Sequence, residues 1–435
     1  MTQSLSLGIE TLTYTDAGLL VADDYVVDSL NFASQLRYGY DSLLRRTSLN
    51  NLSLGSSIAY GYDTASRLST ISDGTNNVAY SYVPNSSLVG QIVFQQGATT
   101  RLTTTKGYDA LNRLTNILNS AAANLSSDYR YNLANQRTNQ LREDGTYWVY
   151  QYDALGQVTS GKKYWADGTV VAGQQFEYAF DDIGNRTSTK AGGDASGANL
   201  RPASYNVNTL NQYTNRTVPG YIEVQGDANS NATVTVNGAP AYRYGAYYRD
   251  ELTVNNNSSP VYQAITNQGV LAPDTVTLNR HALVAATPEP FTYDDDGNLL
   301  SDGKWNYTWD GENRLIAIQS LSSIPDAAKH RMEYSYDCQG RRIYARQMTW
   351  TGSLFRLADE ERYWYDGWNL IARADLKGLV QTYCWGLDLS GSTEGAGGDY
   401  LDVGENLRMT SLGWGEGRFS TVTEELQTIE GKALI

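Results

Sequence analysis

Runs of acidic side chains are the part of this sequence whose residue types and spacing come nearest to a chemical site. The stretch Asp294–Asn298 reads DDDGN, and a similar DDIGN begins at Asp181. Carboxylates in a glycine-containing loop are ligands that Ca²⁺ takes. An EF-hand loop also needs further oxygen ligands and a bidentate Glu, which neither stretch supplies. We therefore predict turns at both positions, and we predict no metal site.

Adjacent carboxylates elsewhere raise the question of acid–base chemistry. They occur at Asp23/Asp24, Asp181/Asp182 and Asp359/Glu360/Glu361. A glycosidase needs two carboxyl groups held several ångströms apart in a cleft, and sequence spacing alone does not establish that geometry. We interpret these residues as parts of solvated turns and strand edges.

Histidine and cysteine offer little further chemistry. The two histidines are His281 and His330, and neither lies in a G-x-S-x-G or H-E-x-x-H context. Cys338 follows an aromatic–Asp pair and is predicted to be exposed in a turn, whereas Cys384 in YCWG is predicted to be a small buried filler. Neither has the basic neighbour that would activate a thiolate. We predict no catalytic, cofactor-binding or metal-binding residue, no cofactor, and no enzymatic activity.

The elements that carry these acidic residues are copies of one phrase, two aromatic residues at alternate positions followed by Asp. The clearest copies are YGYDSLLRR at Tyr38, YGYDTASRLSTI at Tyr60, KGYDALNRLTNIL at Lys106, YQYDALGQVTS at Tyr150, FEYAFDDIGNRTS at Phe176, FTYDDDGNLLS at Phe291, YTWDGENRLIAI at Tyr307, YSYDCQGRRIYA at Tyr334 and YWYDGWNLIAR at Tyr363. Many copies are roughly 20 to 30 residues apart, a spacing typical of repeat proteins.

Each copy predicts a β-hairpin. The two aromatic side chains lie on the same face of a strand because side chains alternate between faces. Asp then begins the turn by accepting backbone N–H groups, and Gly or Asn supplies a left-handed residue. A single hairpin is marginally stable, so successive hairpins must stack edge to edge. The Asp is therefore predicted to be a turn residue.

Composition limits the partners of the chain. The net charge is −14 and the pI is near 4.7, which argues against nucleic-acid and anionic-membrane surfaces, since both need a basic footprint. No segment approaches the run of about 18 apolar residues that spans a membrane. The N-terminal MTQSLSLGIETLTYTDAG lacks a signal-peptide pattern. We expect cytoplasmic synthesis, and a dedicated secretion system that exports the protein or places it at the cell surface is left open.

The repeated phrase resembles the YD-repeat, or rearrangement-hotspot (RHS), family, from about Leu12 to Gly398. The segment YCWGLDLSGSTEGAGG at Tyr383 is similar to the family's WGxDLxGxxxGAGG stretch. The resemblance implies an all-β fold in which stacked hairpins form part of a spiralling hollow shell. It also implies that the shell encloses and delivers a C-terminal polypeptide toxin, which in many members an Asp-containing core motif cuts free. Animal teneurins use a similar shell in cell adhesion.

Two segments depart from the repeat pattern. We predict YD repeats over 12–218, an inserted immunoglobulin-like β-sandwich over 219–288, further repeats with the WGLDLSG-GAGG segment over 289–398, and an atypical tail over 399–435. The abrupt change after Gly398 is what a frameshift or truncation near codon 398 would produce. We therefore expect an incomplete shell that lacks closure and cargo.

Two functional hypotheses follow. The first is a non-catalytic segment of a toxin-delivery shell. The second is a cell-surface adhesin or carbohydrate-binding protein, because alternating aromatic rings can stack on sugars and the inserted module could contact a glycan or a protein. Aromatic residues at alternate positions of a sheet more often form cross-strand packing pairs, which favours the shell.

Overall fold

The computed structural model describes residues 8–27, 30–121, 124–386, 406–407 and 433–434. These residues contain no α-helix, and a 3-10 turn lies at Asp326–Ala328. Among them there is no helix of the length and apolar character that crossing a membrane would require. Most of the GAGG-containing stretch and of the predicted tail over 399–435 lies outside the described residues.

The strands, numbered in chain order, are β1 (Ile9–Tyr14), β2 (Leu20–Val27), β3 (Phe32–Tyr40), β4 (Arg46–Asn51), β5 (Ser56–Tyr62), β6 (Leu68–Ser72), β7 (Asn76–Tyr82), β8 (Val89–Gln96), β9 (Thr99–Tyr108), β10 (Leu114–Ser120), β11 (Asn124–Tyr131), β12 (Arg137–Arg142), β13 (Tyr147–Tyr152), β14 (Val158–Tyr164), β15 (Val170–Phe180), β16 (Arg186–Gly192), β17 (Leu200–Val207), β18 (Tyr213–Arg216), β19 (Tyr221–Asp227), β20 (Thr233–Val236), β21 (Ala239–Pro240), β22 (Tyr242–Tyr244), β23 (Tyr247–Thr253), β24 (Val261–Leu271), β25 (Asp274–Val284), β26 (Glu289–Pro290), β27 (Thr292–Tyr293), β28 (Leu299–Ser301), β29 (Trp305–Trp309), β30 (Leu315–Ser320), β31 (His330–Tyr336), β32 (Arg342–Trp350), β33 (Phe355–Asp366), β34 (Asn369–Asp375), β35 (Gly378–Thr382), β36 (Cys384–Trp385), β37 (Asn406–Leu407) and β38 (Ala433–Leu434).

The described chain divides into two compact units, each built mainly from antiparallel hairpins. Unit 1 comprises residues 1–128, 333–347 and 357–414, and unit 2 comprises residues 129–332, 348–356 and 415–435, as far as they are described. In unit 1, each strand from β1 to β10 pairs with the next strand of the chain. In unit 2, the same holds from β12 to β18. The prediction of an all-β fold of stacked hairpins is confirmed.

Alternation of side chains places the core of unit 1. In β3 the residues at alternate positions from Phe32 to Tyr38 are buried, as expected for a strand with one packed face. Leu36 and Ile71 are fully buried and belong to one cluster with Ile343 and Ile371 from late in the chain. The earliest and latest hairpins of unit 1 therefore share a hydrophobic core.

Polar contacts fix the alignment of these early and late hairpins. The Trp364 indole N–H donates to the Ala33 carbonyl at 2.8 Å. Asp366, at the end of β33, accepts the Tyr38 hydroxyl at 3.0 Å and the Arg46 guanidinium at 2.5 Å. The side chains of Arg46 and Asp366 are only 12% and 8% exposed. The carboxylate of this buried ion pair therefore has two donors, which offset part of the cost of burying its charge.

The insertion in unit 2 is a small β-sandwich. One sheet contains β22, β23 and β19 with β38, and the other contains β21, β20, β24 and β25. Ile222 and Val224 of the first sheet pack in one cluster with Val236 and Ile265 of the second. Strand β26 then pairs with β18, with Glu289 opposite Arg216. We call the paired strands β12–β18 of unit 2 the hairpin array. After the insertion, the chain therefore returns to this array beside β18, the strand at which it left.

Candidate functional site

The turn that follows the aromatic pair uses both oxygens of its Asp in every quoted copy but the last, where Asp366 instead binds Tyr38 and Arg46. At Asp63, one carboxylate oxygen accepts the backbone N–H groups of Ala65 and Arg67, both at 2.9 Å. The other oxygen accepts the Arg67 Nε at 2.8 Å. Ser66 supplies the left-handed residue, with φ of 63°. The four-residue spacing between Asp and Arg therefore closes the turn through both side chain and backbone.

The same arrangement recurs with three kinds of partner. Asp pairs with Arg four residues later at Asp41, Asp109, Asp310 and Asp337. Asp pairs with Gln or Asn at Asp153, Asp181 and Asp294. Asn pairs with Gln at Asn132 and Asn208. The prediction that the Asp is a turn residue is confirmed at these positions, including the two DDxGN stretches, whereas Asp366 of the last copy binds Tyr38 and Arg46 instead.

Where the second aromatic residue of the phrase is Tyr or Trp, it links several of the hairpins to the preceding one, whereas Phe180 has no donor for such a bond. Tyr62 donates its hydroxyl to the Arg46 carbonyl at 2.7 Å, and Tyr82 donates to the Leu68 carbonyl at 2.6 Å. Trp309 makes the equivalent bond from its indole N–H to the Leu299 carbonyl at 2.8 Å. Sequence reasoning missed this link. Its signal was present, since the residue before the turn is usually Tyr or Trp, which carry a donor at the end of an aromatic ring.

The arginine of the turn continues the link. The Arg45 guanidinium lies 4.5 Å from the centroid of the Tyr62 ring, and the Arg67 guanidinium lies 4.1 Å from that of Tyr82. These are cation–π distances. Each ring is therefore held by a hydrogen bond at its tip and by a cation over its face.

The adjacent carboxylates are more buried than the sequence predicted. Asp23 in β2 is 7% exposed and Glu360 in β33 is 7% exposed, so the interpretation of these pairs as solvated was wrong at both residues. The reason is that successive side chains of a strand point to opposite faces, so one member of each pair points to the packed face. Burial, and then the nearby charge of Glu10, raise the pKa of Asp23 to about 6. Glu360 contacts the Tyr344 hydroxyl and Arg346.

Two other members of these groups, Asp24 and Glu361, lie in ordinary ion pairs. Asp24 binds Arg37 at 2.6 Å, and Glu361 binds Arg373 at 2.8 Å. Asp182 is exposed. In the part of the chain that the structure describes, no group of three or more His, Cys, Asp or Glu residues is arranged to hold a metal ion.

The histidines and cysteines lie apart from any acid–base arrangement. His281 is exposed and stacks on Tyr262 with centroids 4.7 Å apart. His330 is half-buried, at the start of β31. Cys384 is buried and Cys338 is exposed, as predicted. Burial, followed by the hydrogen bond to Glu10, raises the pKa of the Cys338 thiol to about 11, which disfavours a reactive thiolate.

Unit 2 contains a cleft that no sequence pattern indicated. It has a volume of about 140 Å³ and lies between the hairpin array and the inserted sandwich. Its lining combines Tyr178 and Tyr205 of the array with Leu283 and Val284 of the sandwich. Residues so distant in sequence come together because β26 returns the chain beside β18.

The cleft is positively charged although the chain is acidic. Among its described lining residues, five are basic, and Glu223 is the one acidic residue. Glu223 is bound by Arg249 through two contacts at 2.6 and 2.9 Å. This surface is the strongest candidate for ligand binding in the described chain, because it combines a concave shape, aromatic rings and cationic groups.

Comparisons with known proteins give partial similarities. No protein-family model matches the chain. The chain is similar to the tRNA3(Ser)-specific nuclease WapA of Bacillus spizizenii, at 34% identity, and to the tRNA nuclease WapA of Bacillus subtilis, at 33% identity, each over 107 residues. The matched stretch is 24% of this chain and only 4% of either relative.

Similarity to solved structures is weaker. The crystal structure of TcdB2-TccC3-TEV aligns with 86% of this chain and 20% of its own, at 12% identity and a TM-score of 0.39. The crystal structure of TcdB2-TccC3-Cdc42 aligns at 11% identity and a TM-score of 0.31, over 87% of this chain and 25% of that one. TM-scores at this level do not establish a shared overall fold.

Proposed function

We propose that this chain is a non-catalytic segment of an RHS/YD-repeat shell that encloses and delivers a C-terminal polypeptide toxin. The observation that carries the proposal is the link between hairpins, in which Tyr62, Tyr82 and Trp309, each just before a turn, bond to a carbonyl of the preceding hairpin. This link lets a sheet grow by one hairpin for each repeat. A sheet that grows in this way is suited to form the wall of the proposed shell.

The use of the acidic residues supports a structural role over an enzymatic one. Apart from Asp366, the carboxylates of the repeated phrase accept backbone N–H groups and an Arg, Gln or Asn side chain within their own turns. A carboxylate engaged in this way is not free to move a proton or to hold a metal ion. We therefore propose that the acidic residues of the repeated phrase stabilise the turns, and that any catalytic activity belongs to the enclosed polypeptide.

The similarity to two nucleases fits the proposal in a limited way. The relatives are named for an activity on tRNA, but this chain matches only 4% of their length. A stretch shared between otherwise different proteins is expected of a scaffold that carries variable cargo. Nuclease activity is not proposed for this chain. We propose synthesis in the cytoplasm followed by export through a dedicated secretion system.

Electron cryo-microscopy of the full chain tests the container role. A compact solid protein of this length has a radius of gyration of about 22 Å. We expect class averages in which a curved wall borders a solvent-filled space, with a radius of gyration larger than that value. A solid particle without an enclosed or partly enclosed space would contradict the container role.

The cationic cleft favours a second candidate, a cell-surface adhesin or carbohydrate-binding protein. A glycan array probed with the full chain tests it. Binding to a defined set of glycans would support the adhesin, and an array without binding would remove its main support.

A further inference from the structure

Two of the basic side chains that line the unit 2 cleft are not part of a close ion pair. Of the five basic residues that line it, Arg201 pairs with Glu251, Arg216 with Glu289, and Lys190 with Glu177. The one acidic lining residue, Glu223, is neutralised by Arg249. Arg186 and Lys304 are then left: within the described chain neither makes a side-chain hydrogen bond or a close ion pair, although the carboxylates of Glu289 and Asp302 act on Lys304 electrostatically.

Arg186 is held in place by packing. Its guanidinium carbon lies 5.4 Å from the centroid of the Tyr178 ring and 5.8 Å from that of Tyr205. Its Nε is buried and has no hydrogen-bond partner among the described residues. The Nε groups of Arg137 and Arg373 are in the same state, so what distinguishes Arg186 is that its guanidinium lines the cleft without an ion pair. Its charge is therefore available to an anionic partner.

Lys304 brings a second charge to the cleft from the other side of the array. It lies between β28 and β29, and its backbone N–H is fixed by Asp302 at 2.7 Å. The side chain is half-buried, and this burial lowers the pKa of the ammonium group. The carboxylate of Glu289 acts on Lys304 electrostatically but is already paired with Arg216, so a ligand carboxylate would supply the remaining counter-charge.

The remainder of the lining limits the ligand. Phe176, Val218, Pro219 and Val284 give the cleft apolar surface beside its tyrosine rings. A bare hydrated anion gains nothing from such a surface, whereas a pyranose ring packs against aromatic and apolar side chains through its C–H groups. The ligand should therefore carry both a carboxylate and a sugar ring.

We propose that this cleft binds an acidic sugar, such as a uronic acid unit, with Arg186 and Lys304 as the groups that bind its carboxylate. This assignment goes beyond the container role and rests on the second candidate function, glycan binding. It adds to that candidate the place of binding and the chemical class of the sugar.

Ligand-observed NMR and calorimetry on the full chain test the assignment with sodium glucuronate, glucose and inorganic phosphate as probes. We expect glucuronate to bind weakly, with a dissociation constant on the order of 1 mM, and glucose and phosphate to bind more weakly still. Arg186→Gln and Lys304→Met should each weaken glucuronate binding by about tenfold or more, because a charge-assisted hydrogen bond is lost.

Lys190→Gln is the matched control. It removes one positive charge from the same cleft, but Lys190 is already paired with Glu177, which also contacts Lys162 at 2.8 Å. We expect less than about a threefold change for this variant. Circular dichroism and thermal melting establish that each variant is folded. The comparison of glucuronate, glucose and phosphate uses the wild-type chain alone, so it does not depend on the folding of any variant.

Three results would overturn the assignment. The first is that the wild-type chain does not bind glucuronate, and the second is that it binds glucuronate no more tightly than phosphate. The third is that the Arg186 and Lys304 variants bind glucuronate as tightly as Lys190→Gln does. If the chain binds only neutral glycans on the array, the cleft assignment fails while the glycan-binding candidate stands. The container role is tested separately by the shape of the particle.

Discussion

Replacing Asp153 by Ala or by Asn separates the hydrogen-bonding role of the turn carboxylate from its charge. One oxygen of Asp153 accepts the N–H groups of Leu155 and Gln157, both at 2.9 Å, and the other accepts the Gln157 side-chain amide at 3.0 Å. Asp153→Ala removes all three bonds. Asp153→Asn creates the Asn–Gln pair that this chain already uses at Asn132, where the two amide side chains are 2.6 Å apart.

The expected magnitudes differ clearly. Removal of a side chain that accepts one backbone N–H at a helix N-cap costs about 0.5–2 kcal/mol. Asp153 accepts two such groups and a side-chain amide while half-buried, so we expect Asp153→Ala to lower the free energy of unfolding by about 2 kcal/mol. We expect Asp153→Asn to lower it by less than about 0.5 kcal/mol, because the amide oxygen still accepts both N–H groups and the Gln157 amide can rotate.

Urea unfolding of the full chain, followed by tryptophan fluorescence, measures the difference. With a slope of about 3 kcal/mol/M, Asp153→Ala should lower the midpoint by about 0.7 M. Hydrogen exchange of the peptide containing Leu155 and Gln157 gives a local measurement that does not depend on two-state unfolding. Equal losses in the two variants would refute the reasoning, since charge would then matter rather than acceptance of N–H groups. An unchanged Asp153→Ala would show that the turn forms without its side chain.

Three further changes probe unit 1 and its repeats. Tyr62→Phe should destabilise the chain by about 0.5–1.5 kcal/mol, because the Arg46 carbonyl loses its bond from the adjacent hairpin. Asp366→Ala should cost about 3–5 kcal/mol, because it leaves Arg46 buried without its counter-charge and Tyr38 without its acceptor. Asp23→Asn should stabilise the chain by up to about 3 kcal/mol at pH 7.5 and have little effect near pH 4, since the pKa of Asp23 is raised from 3.8 to about 6.

The sign of the Asp23 effect follows from the direction of its pKa. Below pH 3.8 the group is protonated in both folded and unfolded chains, and between pH 3.8 and about 6 the folded chain binds the extra proton. The wild-type chain therefore loses stability as the pH rises through this window, and the Asn variant does not. Urea midpoints measured from pH 4 to pH 7.5 check this. A stability gain independent of pH, a neutral Tyr62→Phe or a mild Asp366→Ala would each contradict the corresponding reasoning.

The hairpins could be predicted because their information is local. Asp63 and Arg67 are four residues apart, so the side chain, the backbone N–H groups and the left-handed residue are determined within a single turn. The alternation of Tyr60 and Tyr62 likewise predicts one face of one strand. Nothing beyond a short window is needed to derive either feature.

The burial of Asp23 and the cleft could not be predicted in this way. Asp23 is buried because strands from late in the chain, such as β33, pack on the same core as β3. Arg186 and Lys304 meet in one cleft because the inserted sandwich leaves the array and the chain returns to it. The sequence pattern specifies which face of a strand is apolar. It does not specify which distant strand covers that face or where unpaired charges converge.

The pairing of β18 with β26 has a consequence for how such a chain can change. Arg216 and Glu289 are neighbours across a ladder although the whole sandwich lies between them in sequence. The junction therefore fixes the two ends of the inserted module next to each other. The array specifies where the excursion starts and stops, and it also contacts the module itself, because Gln225 donates to the Gly173 carbonyl at 3.1 Å and Tyr247 donates to the Ala172 carbonyl at 2.7 Å. A module exchanged at this junction would keep the register of the surrounding hairpins only if it also supplied partners for the array at these contacts.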